Sequence, residues 1–238
     1  MSLPRIASRD EWLAARTRLL AREKELTRAR DALSTERRNL PMVEVDQEYA
    51  FEGPDGKSSL LDLFADRRQL AVSHFMFDPR WEDGCSSCSA GADEVADGLR
   101  DHLAVRDTTL AFVSRAPLAR IERYKAKKGW TFPWYSSYGS AFNDDFGVTL
   151  DPARGQDEYN YRRLDLDGDP PFEMPGLSCF LRDGERVFHT YSLFARGAEW
   201  LGGSYAYLDL TALGRQEEWE EPKGRADLER TARPDFAS

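Results

Sequence analysis

Gln69-Leu-Ala-Val-Ser-His-Phe-Met-Phe77, Asp78-Pro-Arg-Trp-Glu-Asp-Gly84 and Cys85-Ser-Ser-Cys88 follow one another without interruption. The first stretch is a near-continuous apolar run with Val and aromatics, the pattern of a strand buried on both faces. The second reads as a loop. After the cysteines, Ala92, Val95, Ala96, Leu99 and Leu103 recur at helical spacing and predict a helix over 90–103. Residues 108–114, Thr-Thr-Leu-Ala-Phe-Val-Ser, predict a second buried strand. Residues 117–128 predict a second helix, with Pro117 in its first turn, Leu118, Ile121 and Tyr124 on one side, and Gly129 as its stop. The alternation β-α-β-α implies a parallel sheet covered by helices.

Outward from this centre, residues 8–38 predict one long helix. Ser8 with Glu11 three residues on forms a capping-box pattern. Trp12, Leu19, Leu26 and Leu33 fall seven apart, a narrow apolar stripe on a charged helix. The stripe suits a helix lying across the domain surface; its heptad spacing also allows a homodimer seam. Pro41 ends the helix. Tyr49-Ala50-Phe51 is strand-like, Pro54-Asp55-Gly56 is a turn signal, and Ser58 or Ser59 caps a short helix through Phe64. Residues 143–175 read as a long irregular insertion, which is uncommon and often functional. Residues 177–182 and 186–191 form a hairpin through Asp183-Gly184, and 208–213 a last short helix. The expected organisation is an N-terminal helical extension (1–40), one domain (41–214) and a charged, loosely held tail (215–238).

Two thiols three residues apart, between a buried strand and a helix, have a chemistry set by that position. The helix N-terminus offers free N–H groups and partial positive charge to the first sulfur. Cys85 is therefore the expected nucleophile and Cys88, one turn in, the resolving thiol. Ser86 and Ser87 are candidate hydrogen-bond donors to the attacking sulfur. A zinc ribbon needs a second Cys or His pair at short spacing, and Cys179, His74, His102 and His189 stand isolated. Cys-x-x-Cys beside a βαβ pattern reads as a thioredoxin-like redox motif. No metal and no bound cofactor are expected.

Composition bounds the partners. The 238 residues carry a net charge of −9, with 41% hydrophobic and 32% charged residues. An acidic chain of this kind is repelled by nucleic acid and anionic lipid. The longest apolar runs fall far short of the ~20 residues of a membrane helix. The N-terminus, with Arg5, Arg9, Asp10, Glu11, Arg16 and Arg18, lacks the apolar core of a signal peptide. The expected compartment is the cytoplasm, and in a reducing compartment a close cysteine pair in a chain with three cysteines is more often catalytic or metal-binding than structural.

Five strings carry a resemblance: Trp81–Ser89, Val113–Pro117, Gly129–Ser137, Phe142–Gly147 and Val187–Ser192. Through them the chain resembles the DUF899 family over roughly 12–215. The resemblance implies a thioredoxin-like α/β fold, a central mixed sheet flanked by helices, and dithiol–disulfide oxidoreductase activity. The implied partners are a protein or small-molecule disulfide and an external thiol reductant. Trp81, Trp130 and Trp134 are candidate substrate contacts, with Tyr135 a further wall of the same pocket. Thioredoxins place a cis-proline before a strand that faces the cysteines; here Pro175 or Gly176 occupies that place. Asp83 would oppose thiolate formation if its carboxylate lay close to Cys85.

Asp165, Asp167 and Asp169 hint at a calcium loop, but Pro170 and Gly176 stand where Gly and Glu are needed. Gly56-Lys57-Ser58 ends like a phosphate loop whose upstream Gly is replaced by Phe51. His189 is either a satisfied strand residue or a proton carrier facing the cysteines. Cys179 reads as an inert core thiol. Two rival functions remain: a copper metallochaperone built from Cys85, Cys88 and His189, and a non-catalytic module that grips a partner with 130–138 and 143–175. A peroxidase is disfavoured because the Thr-x-x-Cys pattern with a preceding Pro is missing.

Overall fold

A computed structural model of the chain describes residues 3–215 together with 217, 219, 221 and 223. Among them, 42–204 form one compact unit, and the stretches up to 41 and from 205 form another. Most of the expected tail, 215–238, lies outside the described residues. Among the described residues, no helix is long and apolar enough to cross a membrane.

The long N-terminal helix is α1, Arg9–Arg38. The Ser8 side chain accepts from the Glu11 backbone N–H while the Glu11 carboxylate accepts from the Ser8 N–H, so the capping box is complete. The apolar stripe is not covered: α1 buries no residue, and Trp12, Leu19, Leu26 and Leu33 stay about half exposed.

The larger unit is built on the strands β1 (Val43–Glu44), β2 (Ala50–Gly53), β3 (Gly56–Ser59), β4 (Gln69–His74), β5 (Thr108–Ser114) and β6 (Trp134–Ser136). Four strands of two residues follow: β7 (Thr149–Leu150), β8 (Glu158–Tyr159), β9 (Arg162–Arg163) and β10 (Phe172–Glu173). The hairpin β11 (Gly176–Asp183) and β12 (Arg186–Phe194) comes last. Eight of these form one sheet in the order β1-β12-β11-β4-β5-β6-β2-β3. β4 runs parallel to β5 and β5 to β6, while β11 runs antiparallel to both β4 and β12. The run β12-β11-β4-β5, with helices joining β4 to β5 and β5 onward, is the thioredoxin-like arrangement of a mixed sheet flanked by helices.

The remaining helices are α2 (Ser86–Asp93), α3 (Asp97–Ala104), α4 (Leu118–Lys128), α5 (Phe142–Asp145) and α6 (Gly203–Leu208). The single helix expected over 90–103 is thus two. The chain turns extended at Ala96 (φ −74°, ψ 155°), and α2 begins four residues earlier than its apolar spacing indicated. Glu94, at the break, accepts from the backbone N–H groups of Gly203 and Ser204, which open the short helix α6. α6 ends where a helix over 208–213 was expected to begin. The helix expected after Ser59 is a 3₁₀ turn, Asp62–Phe64, introduced by hydrogen bonds from Ser59 to Asp62. The insertion over 143–175 is not irregular throughout, since it holds most of α5, a 3₁₀ turn at Pro152–Arg154 and the short pairs β7–β10 and β8–β9.

Side-chain alternation gives the sheet two packed faces. Leu70, Val72, Ala111, Val113 and Phe180 join Phe51, Leu63, Phe64 and Phe142 on one side. On the other, Phe75, Phe112, Phe132 and Trp134 pack with Ala92, Ile121 and Tyr124 of the covering helices, and Cys88 and Trp81 join them.

Candidate active site

The cysteines sit where β4 gives way to α2, at the carboxyl ends of the parallel strands. Cys85 is the residue preceding the first turn of α2, and both thiols are free and half-buried. Three contacts fix the backbone there. The Cys85 N–H donates to the Met76 carbonyl at 3.0 Å. The Cys85 carbonyl accepts from both the N–H and the hydroxyl of Ser89, each at 2.9 Å. Because Ser89 spends its proton on that carbonyl, its 2.8 Å contact with the Tyr124 hydroxyl must be donated by Tyr124. Gly84 makes this seat possible. A Cβ there would lie 2.5 Å from Phe75 Cε1 and 2.9 Å from Tyr124 Cε1, so the chain passes against two rings that leave no room for a side chain.

The two sulfurs have opposite environments. The Cys85 sulfur accepts from the Cys88 thiol, from the backbone N–H groups of Cys88 and Ser87, and from the Ser87 hydroxyl. These donors together bring its pKa down to about 6 against the opposing cost of burial. Cys88 is pushed the other way, because it donates to Cys85, is buried and faces the charge on its neighbour. At neutral pH the Cys85 sulfur therefore favours its thiolate form and Cys88 stays protonated. Asp83 does not undo this: its carboxylate is paired with Lys127 Nζ at 3.0 Å. Glu82 pairs likewise with Arg123, and Asp93 with Lys128, so α4 braces the acidic side chains on both flanks of the pair.

The aromatic candidates separate. Trp134 is 0% exposed, donates from its indole to Ser114 Oγ and belongs to the core, which corrects the expectation that it lines an open pocket. Tyr135, next along β6, packs on the opposite face of the sheet. Trp81 and Trp130 remain half-buried against the cluster that holds Cys88, and the Trp130 indole donates to Asp93 at 2.9 Å. Pro175 keeps a trans peptide bond; the cis bond among the described residues joins Pro170 to Pro171. The Pro175 carbonyl accepts from Tyr159 at 2.6 Å, and Gly176 is buried, with Phe194 and Val148 where a Cβ would point. Neither residue presents a cis-proline to the cysteines. His189 lies against Phe146 and Phe180, on the face of the sheet away from Cys88. The copper site of Cys85, Cys88 and His189 is therefore not assembled.

Sequence reading missed a buried ionic cluster beside the pair. Asp78, 1% exposed, accepts from Arg80 and Arg115, and Arg115 Nε donates to Glu173 at 2.6 Å. Arg80 also donates to the backbone carbonyls of Asp169, Pro170 and Pro171. The insertion is thereby tied to the loop that leads into Cys85. One signal was available: Asp78 and Arg115 are charged residues just beyond two predicted parallel strands, where such sheets place their sites.

A family model described as "Bacterial protein of unknown function (DUF899)" matches residues 1–232. No curated protein matches the chain in sequence. Among solved structures, a PrxQ mutant from Xylella fastidiosa is 14% identical, with a TM-score of 0.42 over 64% of this chain and 84% of that one. Peroxidoxin BcpB from Mycobacterium tuberculosis is 12% identical, with a TM-score of 0.41 over 65% and 84%. A Chlorobium tepidum protein assigned as a thiol:disulfide interchange protein, DsbE, is 12% identical, with a TM-score of 0.43 over 68% and 94%. Likeness at this level carries no information about chemistry.

Proposed function

The chain belongs to the DUF899 family, and from that premise and the geometry of its cysteines we propose that it is a thiol–disulfide oxidoreductase acting through Cys85 and Cys88. The observation that carries this reading is the opposed pair of environments: one sulfur surrounded by donors at a helix N-terminus, the other buried and protonated beside it. The Cys85 thiolate attacks one sulfur of a substrate disulfide. A mixed disulfide forms, and the other substrate sulfur leaves as a thiolate that takes up a proton. Cys88 then loses its proton and attacks Cys85, expelling the second substrate thiolate and leaving a Cys85–Cys88 disulfide. Two electrons pass from the dithiol to the substrate, and an external dithiol restores the pair. Trp81 and Trp130 are the proposed substrate contacts, since both keep exposed surface beside Cys88.

A Cys88→Ser variant tests this reading. Mixed with a disulfide whose leaving thiol is coloured, it should release one equivalent and stay as a covalent adduct at Cys85, whereas wild type with dithiothreitol should turn over. Release that is equally fast in Cys85→Ser would reject the proposal and leave a non-catalytic binding module as the better account.

A further inference from the structure

On the face of the sheet away from the cysteines, four polar side chains from three adjacent strands form one unbroken row. His74 Nε2 lies 2.8 Å from Ser178 Oγ, Ser178 Oγ lies 2.8 Å from Ser192 Oγ, and Ser192 Oγ lies 2.8 Å from His189 Nε2. His74, Ser178 and Ser192 are buried, and His189 is half-buried. The redox step proposed above uses none of them.

Counting protons fixes the direction of the row. Each serine supplies one hydroxyl proton, and each neutral imidazole carries one N–H. Three links need three protons, so one histidine donates from Nε2 and the other accepts there. The His74 end decides which. His74 Nδ1 is buried and has no hydrogen-bond partner. An orphaned buried N–H is rarer than an under-used acceptor, so Nδ1 is a bare lone pair and the His74 proton sits on Nε2. His74 Nε2–H then donates to Ser178, Ser178 to Ser192, and Ser192 to His189 Nε2, which leaves the proton of neutral His189 on Nδ1.

We propose that His74, Ser178, Ser192 and His189 are a directed hydrogen-bond row that works as a pH-sensitive switch, in which the charge on His189 is coupled to the tautomer of the buried His74. A proton added to His189 Nε2 turns that nitrogen from acceptor to donor, and Ser192 must turn with it. Four protons then compete for three links, so either one hydroxyl is left without an acceptor, or the row reverses and His74 exchanges its Nε2 proton for one on Nδ1. Both outcomes leave a buried donor unpaired, so protonation at the outer end is resisted by the inner end. The groups packed on the two rings are Phe142, Phe146 and Phe180. Tyr49, behind Phe142 and Phe146, keeps its hydroxyl on Asp145 at 2.8 Å. The charge that acts on His74 is that of His189 itself, and burial holds the pKa of His74 down to about 3.

Nitrogen-15 NMR of the imidazoles in the full chain tests this directly. At neutral pH the wild-type spectrum should report His74 as the Nε2–H tautomer and His189 as the Nδ1–H tautomer. As pH falls through the His189 midpoint, the His74 nitrogen shifts should move with it in the wild type and in Ser178→Thr, which keeps the hydroxyl, and that coupled movement should be lost in Ser178→Ala. Opposite tautomers in the wild type, His74 shifts that ignore the His189 titration in the wild type, or His74 shifts that still follow it in a folded Ser178→Ala protein, would overturn the proposal. The tautomer measurement stands even if the variant does not fold.

Discussion

Gly84 and Ser89 determine where the Cys85 sulfur points, and neither touches it through a side chain. In Gly84→Ala the new methyl meets the edges of Phe75 and Tyr124. The expected cost is about 1–3 kcal/mol, read by denaturant unfolding, together with an upward shift of the Cys85 pKa as the loop is pushed off its donors. Ser89→Ala removes the hydroxyl that bonds both Tyr124 and the Cys85 carbonyl, for about 1–3 kcal/mol. The thiolate absorbance of the reduced protein should appear with a midpoint near the Cys85 value of about 6. Linkage gives the sign for stability. The folded pKa lies below the unfolded one, so between about pH 6 and the ordinary thiol value near 9 the unfolded chain binds the extra proton. Stability of the reduced protein should rise with pH across that window, and the contribution should vanish in Cys85→Ser. The unequal environments of Cys85 and Cys88 were legible in the sequence, because the N-terminal position of a sulfur on a helix follows from strand–loop–helix order. The core position of Trp134 was not, because a strand of three residues is too short for alternation to reveal its faces.

Elements whose ends carry their own chemistry were read closely, and those ended by distant contacts were not. α1 begins at its capping box, and α4 ends at Gly129, which adopts φ +69°. Ser8→Ala should therefore cost α1 about 1 kcal/mol, visible in circular dichroism as fraying of its first turns. The break between α2 and α3 had no such local mark, because Glu94 is engaged by backbone groups more than a hundred residues away. The insertion was misread for the same reason. Its order comes from Arg80, Arg115 and Glu173, which are far apart in sequence and close in space. Arg80→Ala should increase amide exchange over 165–172 several-fold while leaving the thiolate midpoint of Cys85 in place.

At the scale of the whole molecule, the sheet brings two features to its carboxyl edge: a close cysteine pair and a buried ionic cluster that ties the insertion to the loop leading into Cys85. Asp78 is held below the usual carboxylate range by Arg80 and Arg115 despite its burial, whereas burial pushes Glu173 up. The two act oppositely on stability. Asp78 stabilises the fold above its ordinary pKa, and that contribution is lost as pH falls through its depressed value. Glu173 weakens the fold as pH rises toward its elevated value. Asp78→Ala leaves Arg115 facing Glu173 alone and should destabilise the protein by about 3 kcal/mol, read as a lower midpoint in denaturant. The parallel β4–β5 core was legible because its strands and helices alternate locally. The strand-like Tyr49-Ala50-Phe51 and the turn at Pro54-Asp55-Gly56 did mark β2 and its bend into β3, but β6 was not legible, since it reaches the sheet through pairing with the distant β2 and β5. The central claim is that Cys85 and Cys88 exchange a dithiol for a disulfide, and thiol trapping across glutathione and dithiothreitol buffers measures it most directly. A single reversible two-electron transition, lost in Cys85→Ser and in Cys88→Ser, is the predicted result; a pair that forms no intramolecular disulfide at any potential would contradict it.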